Sequence, residues 1–353
     1  MSRRLLCKIL FIIVVIAGIL GLSSIASAQG RRQDTLEHVK AVQERNAARL
    51  MSINGVEGIA IEVDQNGRHG LTVFTDEPGI RGVPRNLDGI PVKVMVTGKI
   101  YALAPGGKPG KPDKPPKPDP EPDPEPDPEN PMRWPRPVPI GVSTGHMKVT
   151  AGTIGCRVVD ELGNVYALSN SHVYAPSDFA FIDDPVLQPG VYDGGNEATD
   201  VIGLLADYEP IDFLGGVNII DAAIALSSTA YLGNATPPDG YGVPKQRTVT
   251  VRGGEIVKKY GRTTGLTKGQ VWFINTTVNV GYGNGNIALF EGQIGILSLS
   301  TPFSLGGDSG SLVVTQKGNP IGLLFAGDEL GVLTFANPIN AVLDAFNVDV
   351  DGR

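Results

Sequence analysis

A hydroxyl, an imidazole and a carboxylate are spread along this chain in an order that suits acyl transfer. The hydroxyl is Ser309, in Phe303-Ser304-Leu305-Gly306-Gly307-Asp308-Ser309-Gly310-Ser311-Leu312-Val313-Val314. Glycines at 306, 307 and 310 permit tight turns that aim successive backbone N–H groups at one point. Acyl transfer needs that arrangement: a hydroxyl on a bend, and donors facing the oxygen that becomes negative. Taken alone, Gly-Asp-Ser-Gly also describes a glycine-rich hairpin loop, so a base and an acid elsewhere must decide. His172 follows the strand-like segment 164–168, in Ala167-Leu168-Ser169-Asn170-Ser171-His172-Val173. Asp221 stands alone in an apolar run, Asn218-Ile219-Ile220-Asp221-Ala222-Ala223-Ile224-Ala225-Leu226. A carboxylate there is costly unless something pairs with it, and a histidine N–H is a suitable partner. The chain order His, Asp, Ser is one of those in which a serine triad occurs.

On these residues the segment from about Gly141 to Phe346 resembles the trypsin-like (chymotrypsin-fold) serine peptidases of the exported, disulfide-free kind. Two further stretches carry the resemblance. Lys259-Tyr260-Gly261-Arg262-Thr263-Thr264-Gly265-Leu266-Thr267-Lys268-Gly269 is similar to that family's hairpin between second-barrel strands. Gly322-Leu323-Leu324-Phe325-Ala326-Gly327 is similar to its substrate-binding strand after the serine. The resemblance implies Ser309 as nucleophile, His172 as general base and later acid, and Asp221 as the group holding the imidazole. It implies the backbone N–H groups of Gly307 and Ser309 as oxyanion donors, each worth roughly 3–4 kcal/mol in the barrier. Phe303, six residues before the serine, would lie at the floor of the substrate pocket, with Phe325 and Gly327 along its wall. No acid occurs between Glu291 and Asp308, so a Lys or Arg side chain would enter that pocket without a counter-charge. Apolar or small residues are expected there. Asp308 resembles the acid that pairs with a freed N-terminus in activated relatives; no activation site is evident at the domain start, which leaves its cation unassigned. Asp200, Asp207 and Asp212 compete with Asp221 but lack its motif. No metal or other cofactor is expected. Asn347-Val348-Asp349-Val350-Asp351-Gly352 imitates a calcium loop without its final acid. Gly281-Tyr282-Gly283-Asn284-Gly285-Asn286 reads as a hairpin turn.

The elements that must position these residues follow from the pattern along the chain. Beyond Gly141, short β-rich segments alternate with Gly and Pro punctuation, up to a short terminal helix at 339–346. The expected fold is mainly β: two six-stranded antiparallel barrels, chymotrypsin-like, over residues 140–353. Before them, helical spacing at 35–51 and alternating apolar residues at Ile59, Ile61, Val63, Leu71, Val73, Val92, Val94 and Val96 predict a small α+β domain over 31–103. Its His38 and His69 sit at polar positions. Residues 104–139 form a proline-rich charged linker, with lysines every third residue and then acids alternating with proline. Polyproline II at ~3.1 Å per residue would separate its ends by up to roughly 100 Å. That length favours an independent docking module held away from the peptidase over a pro-region that assists folding or covers the cleft.

Composition bounds the rest. The chain has 353 residues, 41% of them hydrophobic, and a formal charge of −7. Arg3, Arg4 and Lys8 precede the uncharged apolar run 9–22, and Ala26-Ser27-Ala28 fits a cleavage site, so residues 1–28 read as a signal peptide cut after Ala28. Export by the secretory or twin-arginine route is expected. Fourteen apolar residues fall short of a bilayer span, and no membrane span is expected after the signal is removed. Removal of those three cations, with no acids, takes the charge to −10, which argues against nucleic acid as a partner. Cys156 is then left without an intrachain partner and reads as a buried core residue. The expected partner is a protein or peptide substrate, and the leading function an exported serine endopeptidase working through an acyl-enzyme. A non-peptidase serine hydrolase such as an esterase, or a catalytically silent binding protein on the same scaffold, are the alternatives.

Overall fold

Strands whose inward positions carry Val, Ile, Leu and Ala pair out of chain order, 223–227 lying between 165–169 and 201–208, and curl into the first barrel. In the computed structural model its six principal strands are Ser143–His146, Cys156–Asp160, Val165–Ser169, Pro185–Leu187, Val201–Tyr208 and Ala223–Ser227, with Gly152–Thr153 and Val348–Val350 added at the edges of the same sheet. Register places Cys156 opposite Leu168, and Ala167 opposite Ala225. These residues are fully buried with Val158, Leu205 and Ile154 in one core. The structure describes residues 35–353 apart from 65–66, 104–129, 131, 150, 177–179 and 300–301. The expected leader, 1–28, and most of the expected linker, 104–129, lie outside the described residues.

The second barrel is Ile256–Gly261, Gly265–Gly281, Ile287–Ser298, Leu312–Thr315, Pro320–Gly327 and Leu333–Pro338. Pairing of Ile287–Ser298 with both Gly265–Gly281 and Leu333–Pro338 closes the ring. Val257, Val271, Ile296, Val313 and Leu324 fill it. The mainly β, two-barrel arrangement expected from the sequence is the one observed, and the terminal helix Ile339–Phe346 lies where its pattern put it.

The small α+β unit also forms as its pattern requires. Thr35 caps the helix Leu36–Met51 by accepting the His38 N–H. The helix lies on Val56–Val63 and His69–Thr75, which pair antiparallel, and Ile90–Val96 adds in parallel. The expectation of a module held at a distance is corrected here. Val56–Val63 pairs antiparallel with the long barrel strand Gly265–Gly281, Gly58 opposite Val278 and Ile61 opposite Ile274, so the unit continues the second barrel's sheet. The two also share a core. Phe74 packs edge-on against Phe273 and Phe335, with ring centroids 5.0 and 5.8 Å apart. Such pairs add ~0.5–1.5 kcal/mol each beyond the area they bury. Gln43 of the helix donates to the Asn275 carbonyl at 2.6 Å and accepts from the Asn275 side chain at 3.0 Å. A linker's reach limits only how far apart two units can be; the open strand edge decides where this one sits. The end of the expected linker belongs to the first barrel: Trp134 packs on its core and the Val138 N–H donates to the Tyr231 carbonyl.

Candidate active site

The pairing Ala223 opposite Ser169 brings the start of one strand beside the end of another. Asp221 therefore lies against the single-turn helix Ser171–Tyr174 that carries His172. His172 Nδ1 lies 2.5 Å from Asp221 Oδ2, and the His172 backbone N–H donates to Oδ1 at 3.1 Å. Asn170 holds the Asp221 carbonyl at 2.6 Å, and the Asn337 side chain accepts the Asp221 N–H at 3.1 Å. Fully buried Asp221 is thus held through its backbone from both barrels. His172 Nε2 is buried and makes no hydrogen bond to any described residue. With Nδ1 engaged by a carboxylate, Nε2 is the nitrogen left to take up a proton.

Ser309 comes from the second barrel, on the turn that leads into Leu312–Thr315. Gly307 and Gly310 have φ of +99° and +91°, where side chains are strained. A Cβ at Gly310 would also meet the Thr153 carbonyl at 2.3 Å, so that position demands glycine twice over. The turn is tied to the first barrel by the Thr153 N–H donating to the Ser309 carbonyl at 2.7 Å, and by the Thr153 hydroxyl donating to the Gly307 carbonyl at 2.8 Å. The Ser309 hydroxyl donates to the Phe325 carbonyl at 3.3 Å; its hydrogen bond to His172 is not made in this rotamer.

Asp308 orders the turn from beneath. Its carboxylate accepts from the N–H groups of Leu305 and Thr263 at 2.9 Å each, and from the Thr264 hydroxyl at 2.7 Å. The unassigned cation is Lys259. This fully buried ammonium lies 3.6 Å from Asp308, donates to the Gly265 carbonyl at 3.0 Å and bonds the Thr264 hydroxyl. Burial lowers its pKa and Asp308 acts to raise it. The cation is built into the chain, so no freed N-terminus is needed at Asp308.

The end of the strand Pro320–Gly327, beside Ser309, is covered by the chain itself. The short strand Tyr101–Ala102 lies antiparallel on the end of Pro320–Gly327, Ala102 opposite Ala326 and Tyr101 opposite Gly327. The Leu103 N–H donates to the Phe325 carbonyl at 3.1 Å, and the Leu103 carbonyl accepts the Gly307 N–H at 2.7 Å. The Leu103 side chain, 7% exposed, belongs to the buried cluster that contains Phe303. A Cβ at Gly327 would make only an ordinary 3.6 Å contact with Leu103 Cδ1, but would meet the Leu333 carbonyl at 2.9 Å, so the neighbouring strand is what favours glycine there. Of the three expected pocket residues, Phe303 and Gly327 thus border one apolar side chain. Phe325 contributes its carbonyl while its ring turns the other way, against Phe290 with centroids 4.8 Å apart.

Tyr282 was read only as part of a turn. Its hydroxyl donates to Asp221 Oδ2 at 2.8 Å, and its ring meets His172 edge-on at 5.7 Å. Burial and the Asp221 charge push its pKa well up, so it stays a donor. A tyrosine opening a glycine-rich turn between two long strands was the only signal available. The competing acids are engaged elsewhere: Asp200 with Arg133 at 2.6 Å, and Asp212 with the Leu214 N–H at 2.6 Å, while Asp207 bonds the adjacent Tyr208 N–H. Cys156 is buried and unpaired. Among the described residues there is no group of His, Cys, Asp and Glu able to hold a metal, and no helix long and apolar enough to cross a membrane.

No family model and no curated protein matches the chain. Among solved structures it is similar to Thermobifida fusca Protease A, at 19% identity over 61% of this chain and 99% of that one, with a TM-score of 0.46. It is similar at 18% identity to a glutamic acid specific serine protease with a histidine triad in substrate binding, over 60% and 100% of the two chains, TM-score 0.46. Cellulomonas bogoriensis chymotrypsin follows at 17% identity, 61% and 99% coverage and a TM-score of 0.43. The chemistry proposed below rests on this chain's own residues.

Proposed function

We propose that the chain is an exported serine endopeptidase in which Ser309 attacks, His172 moves the proton and Asp221 holds the imidazole. A serine hydroxyl is a weak nucleophile until a base takes its proton as the new bond forms. Asp221, bound to Nδ1, fixes the tautomer that leaves Nε2 to accept, and it stabilises the imidazolium that results. His172 then returns the proton to the leaving amine, and water releases the acyl group by the same steps in reverse. Gly307 and Ser309 supply the oxyanion N–H groups, and the leader-like residues 1–28 account for export.

One observation carries the reading. The Gly307 N–H is aimed at a peptide carbonyl, and that peptide lies as an added strand on 325–327. An edge that takes an extended backbone by strand pairing recognises peptides through their main chain, which favours a peptidase over an esterase. The test is a panel of peptide amides and of esters with the same leaving group. Hydrolysis of extended peptide amides that improves with length on the acyl side is expected. Turnover of simple esters with no gain from added residues would overturn the reading.

A further inference from the structure

Gly306 and Gly307 are adjacent, so no side chain resists rotation of the peptide that joins them. That trans peptide carries the Gly306 carbonyl on one side and the Gly307 N–H on the other. Turned over, it would present a carbonyl where the proposed chemistry needs a donor. What holds it comes from outside the turn. The Thr263 hydroxyl donates to the Gly306 carbonyl at 2.7 Å, and on the next peptide the Thr153 hydroxyl donates to the Gly307 carbonyl at 2.8 Å. A hydroxyl has one proton, free to turn toward any acceptor within reach. Here a single residue orients both. Arg262 Nη1 donates to Thr263 Oγ1 at 3.0 Å, and the Arg262 backbone N–H donates to Thr153 Oγ1 at 3.1 Å. With a lone pair of each oxygen engaged in this way, the proton of each is directed to the turn. Arg262 is itself fixed from the first barrel. Its Nε donates to Asp193 Oδ2 at 2.7 Å and its Nη2 to Oδ1, a two-bond fork that sets the plane of the guanidinium. Asp193 also accepts the Ser143 hydroxyl, and the Tyr192 ring lies 5.1 Å from the guanidinium carbon. The two charged side chains are 11% and 7% exposed. They pack on the turn so closely that a Cβ at Gly307 would stand 2.7 Å from Arg262 Nη1 and 2.5 Å from Thr263 Oγ1.

We infer that Arg262 is a positioning residue: held by Asp193, it directs the Thr263 and Thr153 hydroxyls onto the Gly306 and Gly307 carbonyls and so keeps the Gly307 N–H turned toward the cleft. The inference rests on the reading of that N–H as an oxyanion donor. Arg262 touches no reacting atom and acts through the two threonines. The consequence is a particular division of effects. Without the contact, a fraction of molecules turns the 306–307 peptide over, and kcat falls with the fraction that keeps the donor in place. Substrate paired along 325–327 is bound as before, so KM stays nearly unchanged.

The test uses the full chain. Wild type, Thr263→Val, Thr263→Ser, Arg262→Met and Arg262→Lys are assayed with Ile-Tyr-Ala-Leu-p-nitroanilide. Each is also titrated with the aldehyde of the same peptide, whose adduct with serine places an oxygen at the donor. Thr263 is exposed, so valine there should leave the denaturation midpoint unchanged even if Arg262→Met, which strands Asp193, folds poorly. For Thr263→Val, kcat is expected to fall by at least about tenfold with KM within about twofold, and aldehyde affinity to fall in step with kcat. Thr263→Ser keeps the hydroxyl and should return kcat to within about threefold of wild type. Arg262→Lys, which lacks the fork, should restore less of the Arg262→Met loss than serine restores at 263. An unchanged kcat in Thr263→Val would overturn the inference. A loss confined to KM or to the denaturation midpoint would overturn it too, by making the contact one of substrate binding or of stability. In both cases the peptidase reading stands on the activity of wild type. Absence of hydrolysis by wild type would end that reading, and the inference with it.

Discussion

The backbone N–H of Gly307 and the carbonyl oxygen of Leu103 lie 2.7 Å apart, although 204 positions of chain separate them. That contact joins the amino-terminal unit to the turn of the carboxy-terminal barrel that carries Ser309. It makes the cleft and the segment before the linker one structural problem.

Asp221→Asn should lower kcat by about 10⁴ while the protein stays folded, because the amide can leave the imidazole in the wrong tautomer. Combining it with Ser309→Ala should cost little beyond Ser309→Ala alone, since the groups act as a unit. Additive losses in kcat for peptide hydrolysis would place Asp221 outside the machinery.

Tyr282→Phe removes one donor from Asp221 Oδ2 and leaves the ring in place. A hydrogen bond to a charged group contributes about 1.5–3 kcal/mol, so kcat should fall by roughly tenfold to a hundredfold with KM little changed. A change confined to KM would instead make Tyr282 part of the substrate surface.

These residues differ in how far they could be read in advance. His172, Asp221 and Ser309 each announce themselves locally, by a strand end, an acid in an apolar run and a glycine-flanked serine. Tyr282 and Lys259 do not. Each gains its role from one partner, Asp221 or Asp308, that only the folded barrels bring near. The alternation of Ile59, Ile61 and Val63 revealed a strand but not its neighbour. An edge pairs with whatever edge the rest of the chain presents, and here that is Gly265–Gly281. The linker's composition described a spacer and misled about distance, because the docking contacts lie outside it.

Lys259→Met should destabilise the protein by about 3–5 kcal/mol, since it leaves the Asp308 carboxylate buried without its cation. The loss should appear in chemical denaturation as a lower midpoint with an unchanged slope. Lys259→Met combined with Asp308→Asn should recover part of it. A double variant less stable than the sum of the singles would mean that the two side chains do not act as a pair.

Burial raises the Asp328 carboxyl to about 6, against an ordinary 3.8, although the N–H groups of Val332 and Leu333 work to lower it. Folding therefore favours its protonated form. Its contribution to stability is complete below pH ~4 and is lost as pH rises through 6, by up to about 3 kcal/mol. Asp328→Asn keeps an oxygen for those two N–H groups and cannot ionise. The variant should gain on wild type as pH rises from 4 to 7, read as the difference in denaturation midpoints. A difference that does not change with pH would rule this titration out.

Burial also pushes the Cys156 thiol up to about 12. At neutral pH so little thiolate forms that native protein lacking residues 1–28, and with them Cys7, should not react with a thiol-specific disulfide reagent over the time in which the unfolded chain reacts fully. Prompt reaction of the folded protein would place Cys156 at an accessible site.

The most direct measurement is the rate of peptide-amide hydrolysis by Ser309→Ala beside wild type, prepared identically and with matching circular dichroism spectra. Loss of at least about 10⁴-fold in kcat is expected when the nucleophile of such a unit is removed. A variant that keeps its activity within tenfold of wild type would contradict the assignment of Ser309, and the serine-peptidase account with it.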